Sequence, residues 1–418
     1  MVCYEIDENL VETLDQVLGL CQDAASEAGV DFDSEIRIGD YIEDRAVAGA
    51  SLFAEDQETF DCVILNPPYR KIHSRSSERT DLRSVGIETT NLYTGFMLLA
   101  ARQLRNRGEF VSISPRSFCN GPYFRPFRQE LLRHLAVKEV HVFESRTQAF
   151  RGDDVLQENV IVHGVHSSTK PCTVLASMTT ASGQIQRRRI PYDRLVAPDD
   201  PDQVIHIVPD EESDLVATTM RKFQHSLVDL RLEVSTGRVV DFRAREHLRE
   251  QPEPSAVPLI YPAHFHSGSI EWPNGNTRRP NAIASNADTA NLLLDAGFYV
   301  LVKRFSAKEE RRRVVAALFE PSCVEADRVG FENHLNYFHT QRSGIDEDLA
   351  RGLTVFLNST LVDEYFRQFS GHTQVNASDL RSLRYPSRDS LRMLGRSCRD
   401  VADQTSVDEA MENVTQSQ

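Results

Sequence analysis

Phe60-Asp61-Cys62-Val63-Ile64-Leu65-Asn66-Pro67-Pro68-Tyr69 decides the reading of this chain. The first six residues form a short apolar run with strand character. Asn-Pro-Pro-Tyr at the C-terminal end of a strand suits one chemical task, holding a planar amino group while it is methylated. The lone pair of an aromatic amine such as adenine N6 is delocalised into the ring, so the nitrogen is a poor nucleophile. Two acceptors aimed at its two hydrogens localise that pair, and the Asn66 side-chain oxygen and the Pro67 carbonyl can supply them. Pro67 and Pro68 stiffen the backbone and remove competing donors. Tyr69 offers a face against which an extruded base can stack. Two prolines after a strand also make an ordinary stiff turn, so the tetrapeptide has to be weighed with its surroundings.

Working outward, strand and helix patterns alternate. Residues 1–6 read as a strand, Asn9 to Ala28 as a helix with Leu10, Leu14, Val17, Leu18 and Cys21 on one face, and Glu35 to Ile38 as a second strand. After the Phe60 strand come a helix over Thr94 to Leu104, a strand over Gly108 to Ile113, a helix over Tyr123 to His134, and strands at Val137 to Phe143 and Val160 to His163. This alternation predicts a parallel, doubly wound α/β sheet. Ligands of such sheets gather outside the carboxyl ends of the strands. Three strand ends in order carry Glu5-Ile6, Asp40-Tyr41 and Asn66 to Tyr69. A carboxylate at Glu5 can accept from both hydroxyls of a ribose. Asp40 can accept from an adenine amino group while Tyr41 covers the ring.

From about Pro171 the alternation fades into a Pro-rich, acidic connecting region. A second domain is expected over 226–386 and a polar tail over 387–418, with a helix over Ser387 to Gln404 and a frayed end. The catalytic domain is thus expected over 1–170 and the connection over 171–225.

At 418 residues the chain has room for two or three domains. Seven scattered cysteines without a Cys-x-x-Cys pair suggest neither zinc nor a disulfide framework. His264 and His266 lack a third ligand, so no metal is expected. No apolar stretch approaches a membrane span and no signal pattern opens the chain, so a cytoplasmic protein without a membrane partner is expected. The net charge of −15 argues superficially against nucleic acid, yet 41 of the 47 basic residues are arginine, which suits phosphate and guanine. A salt-rich cytoplasm or a GC-rich genome would produce the same bias. The basic residues cluster after the Asn-Pro-Pro-Tyr loop, at Arg70, Lys71, His73, Arg75, Arg79 and Arg83, and again at Lys303-Arg304 and from Lys308 to Arg313. A polar, poorly patterned basic stretch beside a site can bind phosphate. It can equally be a solvated loop.

The motifs together resemble the adenine-specific DNA methyltransferases of restriction–modification systems, of the type IIG and gamma-class kind. The resemblance rests on Asn66 to Tyr69, Asn91-Leu92-Tyr93-Thr94-Gly95-Phe96, Gly108 to Pro115 with Phe118, and Phe150 to Ile161. It continues through Ser235 to Arg243, Phe331 to Tyr337, Phe356 to Ser359, and Gly371 to Asn376 with Asp379-Leu380. Glutamine methyltransferases of translation factors share the tetrapeptide but lack such a second domain. The resemblance implies a Rossmann-like methyltransferase sheet followed by an α+β target-recognition domain. It implies S-adenosylmethionine held by Glu5, Ile6, Asp40 and Tyr41, and base capture by Asn66, Pro67, Pro68 and Tyr69. It implies double-stranded DNA held by Arg70, Lys71, Arg75 and Arg304, with Phe150 as a second aromatic contact to the flipped base. A partner endonuclease is a further expectation.

One departure stands out. The family places a strand and a Gly-rich loop before the acidic strand, and this sequence begins at the acidic strand. That strand would lie between the one bearing Glu5 and the one bearing Asn66, leaving them about 9–10 Å apart. A fragment, a misplaced start or one half of a split enzyme is the expectation. A catalytically silent DNA-binding remnant is the alternative reading.

Overall fold

The computed structural model describes residues 1–49, 58–73, 75–143, 158–180, 182–207, 210–306, 310–369 and 374–417. They form two compact units, Met1–Ile207 and Val208–Gln418. In the first unit β1 (Val2–Glu5) pairs in parallel with β2 (Glu35–Ile38), Glu5 opposite Ile38. Helix α1 (Glu8–Glu27) joins them, its N-terminus capped by Asp7, whose side chain accepts from the Asn9 N–H. Of the apolar face expected on α1, only Leu18 is buried, while Leu10 and Val17 stay exposed. Helix α2 (Tyr41–Gly49) follows β2 and inserts Ile42 into the core.

The main sheet has the order β3-β4-β6-β5-β7-β8. Its strands are β3 (Phe60–Leu65), β4 (Leu104–Pro115), β5 (Leu135–Phe143), β6 (Asn159–His166), β7 (Thr173–Thr179) and β8 (Ile185–Pro191). The β3–β4 and β5–β7 pairs are parallel, whereas β6 runs antiparallel to both β4 and β5. The expected purely parallel sheet is therefore corrected to a mixed one. The fading alternation after residue 170 hides the β7–β8 hairpin, which turns through Gly183 at φ +83° and widens the sheet.

Helices α3 (Ser77–Ser84), α4 (Leu92–Arg102) and α5 (Arg125–His134) belong to this unit, and one face of the sheet carries its core, including Leu82, Met97, Phe110, Phe118, Leu131, Val140 and Val160. Val63 and Leu65 of β3 point into it, and the alternate residues Cys62 and Ile64 point away, Ile64 being 78% exposed. Among the described residues no ladder joins β1 to β3. Each has one partner strand, so each presents a bare edge.

The second unit holds two sheets. One has the order β10 (Leu248–Arg249), β14 (Ala282–Ala284), β11 (Ala256–Ile260), β18 (Arg328–Phe331), β15 (Leu293–Asp295). The other runs β12 (Phe265–His266), β13 (Ser269–Ile270), β17 (Ala316–Phe319), β16 (Tyr299–Lys303), β19 (Leu335–His339), β9 (Glu233–Thr236). The stretch from 387, expected to be a polar tail, instead forms two packed helices, Arg388–Ser397 and Gln404–Gln416, which bury Leu391, Leu394, Val407, Met411 and Val414. The first crosses the helix Glu347–Leu357 at a contact only glycine allows. A Cβ on Gly352 would sit 1.7 Å from the Leu391 carbonyl oxygen, and one on Gly395 2.1 Å from that of Asp348.

Gly352→Ala is therefore expected to destabilise the second unit by the upper end of about 1–3 kcal/mol, because backbone has to move to admit the methyl. Gly19→Ala in α1, where nothing lies within 4 Å of a Cβ, should instead stabilise its unit by about 0.5–1 kcal/mol. Urea titrations of the two variants followed by circular dichroism check this.

Candidate functional site

Asn66 to Tyr69 leaves the sheet where β3 ends, one residue past the Leu65–Ser112 pair of the parallel ladder. Pro67 is buried, Asn66 and Pro68 are exposed, and Tyr69 is half-buried. The Tyr69 hydroxyl donates to Asn66 Oδ1 at 3.0 Å, so the aromatic ring and the amide are held as one group. The same hydroxyl lies 3.5 Å from the Ile113 carbonyl oxygen, and burial pushes the phenol up to about 12. Beneath it the Tyr93 ring stands edge-on, centroids 6.4 Å apart, with its hydroxyl 3.1 Å from Ser117 Oγ. The chain beyond the loop is stitched to the start of α4: Leu92 N–H donates to the Arg70 carbonyl and Ile72 N–H to that of Thr90. The loop is thereby fixed at both ends, by a strand before it and a helix after it.

Glu5 and Asp40 stand at the carboxyl ends of the β1–β2 pair, joined by Gly39 N–H donating to the Glu5 carbonyl at 2.9 Å. Gly39 has φ +147°, backbone that favours glycine. Asp40 Oδ1 accepts from Ile42 N–H at 2.7 Å and Glu5 Oε1 from Asp7 N–H at 2.8 Å. Each carboxylate keeps a second oxygen that accepts no bond within the described structure. Ile6, 67% exposed, and Ile38, also exposed, stand beside them. Carboxylate oxygens next to open apolar surface fit a ligand with both hydroxyls and a flat ring. Tyr41, expected to cover an adenine ring, is half-buried. Its hydroxyl donates to Gln103 Oε1 at 2.6 Å and its ring packs between Tyr4 and Phe96 at 4.9 and 5.1 Å, so it anchors α2 to the core.

The basic stretch after the loop is not unstructured. Ser77–Ser84 is helical, with the Ser76 side chain accepting from Arg79 N–H. Arg79 and Arg83 both pair with Glu88, and Arg70 pairs with Glu78, whose carboxyl is held down at about 2 by backbone and side-chain hydrogen bonds. Lys71 is exposed and bridges Asn91 through its backbone. Arg75 is exposed and makes no ion pair among the described residues. Phe150 lies outside the described residues. Arg304 belongs to the second unit, where its Nη1 donates to the Asn333 carbonyl at 2.7 Å. Residues of the sequence reading were not enough to find Arg128. It is fully buried, donates to the Phe118, Gly121 and Asp202 carbonyls, and is pushed down to about 10 by burial. It pins the turn that carries Ser117 under Tyr93. A single arginine on the apolar side of a helix was its only signal.

His264 spends both ring nitrogens inside its unit, accepting from Tyr261 N–H at 2.9 Å and meeting Asn281 Oδ1 at 3.0 Å. No cluster of His, Cys, Asp and Glu able to hold a metal ion occurs among the described residues. No described helix is long and apolar enough to cross a membrane.

Residues 6–150, which include the strand-end Asn-Pro-Pro-Tyr and the carboxylate of Asp40, match the Eco57I restriction-modification methylase family. The chain is 46% identical over 391 residues to the type II methyltransferase M.PstI of Providencia stuartii, covering 93% of this chain and 77% of that one. It is 46% identical over 396 residues to the type II methyltransferase M.BsuBI of Bacillus subtilis, covering 94% and 78%. It belongs to this family of type II methyltransferases. The fold is also that of the type IIL restriction-modification enzyme MmeI, solved in complex with DNA, with a TM-score of 0.53 at 11% identity over 94% of this chain and 58% of that one.

Cysteine labelling tests the geometry of the site. Cys119 ends the turn below Tyr93, is buried, and has its thiol pushed up to about 12 by burial. Iodoacetamide at neutral pH is expected to modify Cys21, Cys62 and Cys172 in the native chain and to reach Cys119 only after unfolding. Peptide mass spectrometry reads the outcome, and native labelling of Cys119 would show that the turn is open.

Proposed function

We propose that this chain is a site-specific DNA N6-adenine methyltransferase of a restriction–modification system, using S-adenosylmethionine. The observation that supports the reading is the Asn66–Tyr69 loop, held at both ends, in the same unit as the strand-end carboxylates Glu5 and Asp40. S-adenosylmethionine, when bound, supplies a methyl group on a sulfonium. Glu5 would accept from its ribose hydroxyls, with Asp40, Ile6 and Ile38 around its adenine. Asn66 Oδ1 and the Pro67 carbonyl would accept the two N6 hydrogens of an extruded adenine and localise the lone pair on nitrogen. The Tyr69 hydroxyl keeps Asn66 in place while its ring stacks on the base. N6 would then take the methyl group as its bond to sulfur breaks and S-adenosylhomocysteine leaves, and the methylated nitrogen would give up one proton to solvent. The second unit, with Arg304, would read the duplex, and an endonuclease cutting the same unmodified site is the natural partner.

A specific observation keeps a second reading alive. Among the described residues β1 and β3, whose ends carry the proposed cofactor and base contacts, share no ladder, and each has one partner strand. Unpaired backbone groups and an exposed Ile64 are costly to leave in this state. We propose that a further strand, not among the described residues, fills the edge, and that without it residues 1–418 bind DNA but transfer methyl groups poorly.

Asn66→Ala is expected to lower methyl transfer about 10²–10³-fold, the loss typical of one acceptor or donor used mainly in the transition state. The melting temperature should be unchanged, since Asn66 is exposed. N6-methyladenine in treated unmethylated plasmid DNA, measured by nucleoside mass spectrometry, reads the effect, and near-normal product would remove the mechanism. Calorimetry should show weak S-adenosylmethionine binding by the chain alone. A supplied strand segment should tighten that binding and shield Cys62 of β3 from alkylation. Tight cofactor binding by the unsupplemented chain would sink the strand proposal and leave the methyltransferase reading standing.

A further inference from the structure

Three neighbouring strands of the second unit put their loops at one end of a sheet. β9 and β16 both run antiparallel to β19, with Thr236 opposite Asn336 and Lys303 opposite Leu335. The segment after β9, the segment after β16 and the segment before β19 therefore emerge together. Hydrogen bonds confirm the meeting. Asn333 N–H donates to the Val239 carbonyl at 2.8 Å and Arg304 N–H to that of His334 at 2.9 Å. A fourth stretch joins them, with Val375 N–H donating to the Arg304 carbonyl at 2.7 Å. The approach is so close that a Cβ on Gly237 would lie 2.1 Å from the Glu332 carbonyl oxygen.

Two phenylalanines stand out from this end. Phe242 is 77% exposed and Phe305 45% exposed. Each lies under a neighbouring guanidinium, Arg243 at 5.4 Å and Arg304 at 5.7 Å from the ring centre. A single exposed ring needs no explanation. Two rings at one sheet end, each paired with an arginine, are a different matter. If their purpose were only to brace the loops, burying the rings would stabilise more than a surface cation–π contact does.

The local charge points the same way. The chain carries 62 acidic residues against 47 basic ones, yet neither Arg243 nor Arg304 meets a carboxylate among the described residues. Two described acids of these loops are already engaged. Asp241 accepts from the Tyr261 hydroxyl and from Arg279, and Glu332, buried, is paired with His334. Among the described residues Arg243 and Arg304 thus stand without a carboxylate next to two exposed rings, which complements an anionic backbone carrying stacked bases.

We propose that this sheet end grips duplex DNA, with Phe242 entering between two base pairs and Arg243 and Arg304 meeting the flanking phosphates. The proposal rests on the reading of the chain as a DNA methyltransferase and adds the residues through which its second unit holds and distorts the duplex. An apolar wedge partly unstacks a base step, and arginines on either side hold the bent backbone.

The test uses the full chain and a fluorescein-labelled duplex of mixed sequence, with anisotropy measured over a series of salt concentrations. Phe242→Ala is expected to weaken binding about tenfold at every salt concentration, with the salt dependence unchanged. Arg243→Ala and Arg304→Ala should each lower the slope of log affinity against log salt by about one. Val228→Ala, as exposed but ahead of β9 at the strand's other end, should bind like the unaltered chain. Phe242→Trp adds a direct probe, since the chain has one other tryptophan. Its emission should fall on saturation with duplex by clearly more than that of the unaltered chain. Binding by Phe242→Ala equal to that of the unaltered chain, or no extra quenching in Phe242→Trp, overturns the wedge while the DNA-binding reading stands. Failure of the unaltered chain to bind any duplex overturns both.

Discussion

The parallel ladder between β3 and β4 is the constraint on which the site depends. It sets the height at which β3 stops, and so the point at which Asn66 leaves the sheet. Tyr69 then needs only one hydrogen bond to Asn66 and one ring edge against Tyr93 to be oriented. Tyr93 is in turn held by Ser117, on a turn that the buried Arg128 ties down through three carbonyls. A residue on a helix facing away from the site thus decides where its aromatic platform stands. The remaining polar groups of the site are backbone-satisfied at one oxygen and open at the other, which is how a preformed receptor differs from a salt bridge.

The strands that carry the site were legible because each is short, apolar and ends in residues with a distinct chemistry. Glu5, Asp40 and Asn66 to Tyr69 could be placed on strand ends from pattern alone. Strand direction could not. Nothing in Asn159 to His166 distinguishes a parallel from an antiparallel neighbour, and β6 inserts between β4 and β5 against both. The hairpin over 173–191 was hidden because Ile185-Gln186-Arg187-Arg188-Arg189 reads as charge rather than as an edge strand, although charge on an edge is what protects it. Of the final helices the first was expected, and the second, Gln404–Gln416, was hidden because its buried apolar residues Val407, Met411 and Val414 are few and widely spaced. The packing of the Tyr41 ring between Tyr4 and Phe96 was not legible, because residue type does not tell which neighbours a ring meets.

Charge in this chain is organised by pairing rather than by sign. Arg37, Arg45 and Glu58 form one knot beside β2, and Arg79, Arg83 and Glu88 another at the start of α4. Such exposed pairs contribute little stability individually, but they silence arginines that would otherwise offer themselves to any polyanion. The arginines left without a carboxylate then stand out against an acidic background. An acidic protein can in this way hold a polyanion at chosen places and repel it elsewhere.

The bare edge of β3 has a practical side. It presents unpaired backbone groups, an outward Ile64 and, two residues before it, an exposed thiol at Cys62. Two copies meeting edge to edge would align these groups and bring their thiols within reach of oxidation. Asp61 and Arg105, paired at 2.7 Å on the same margin, are the chief charged guards against that encounter.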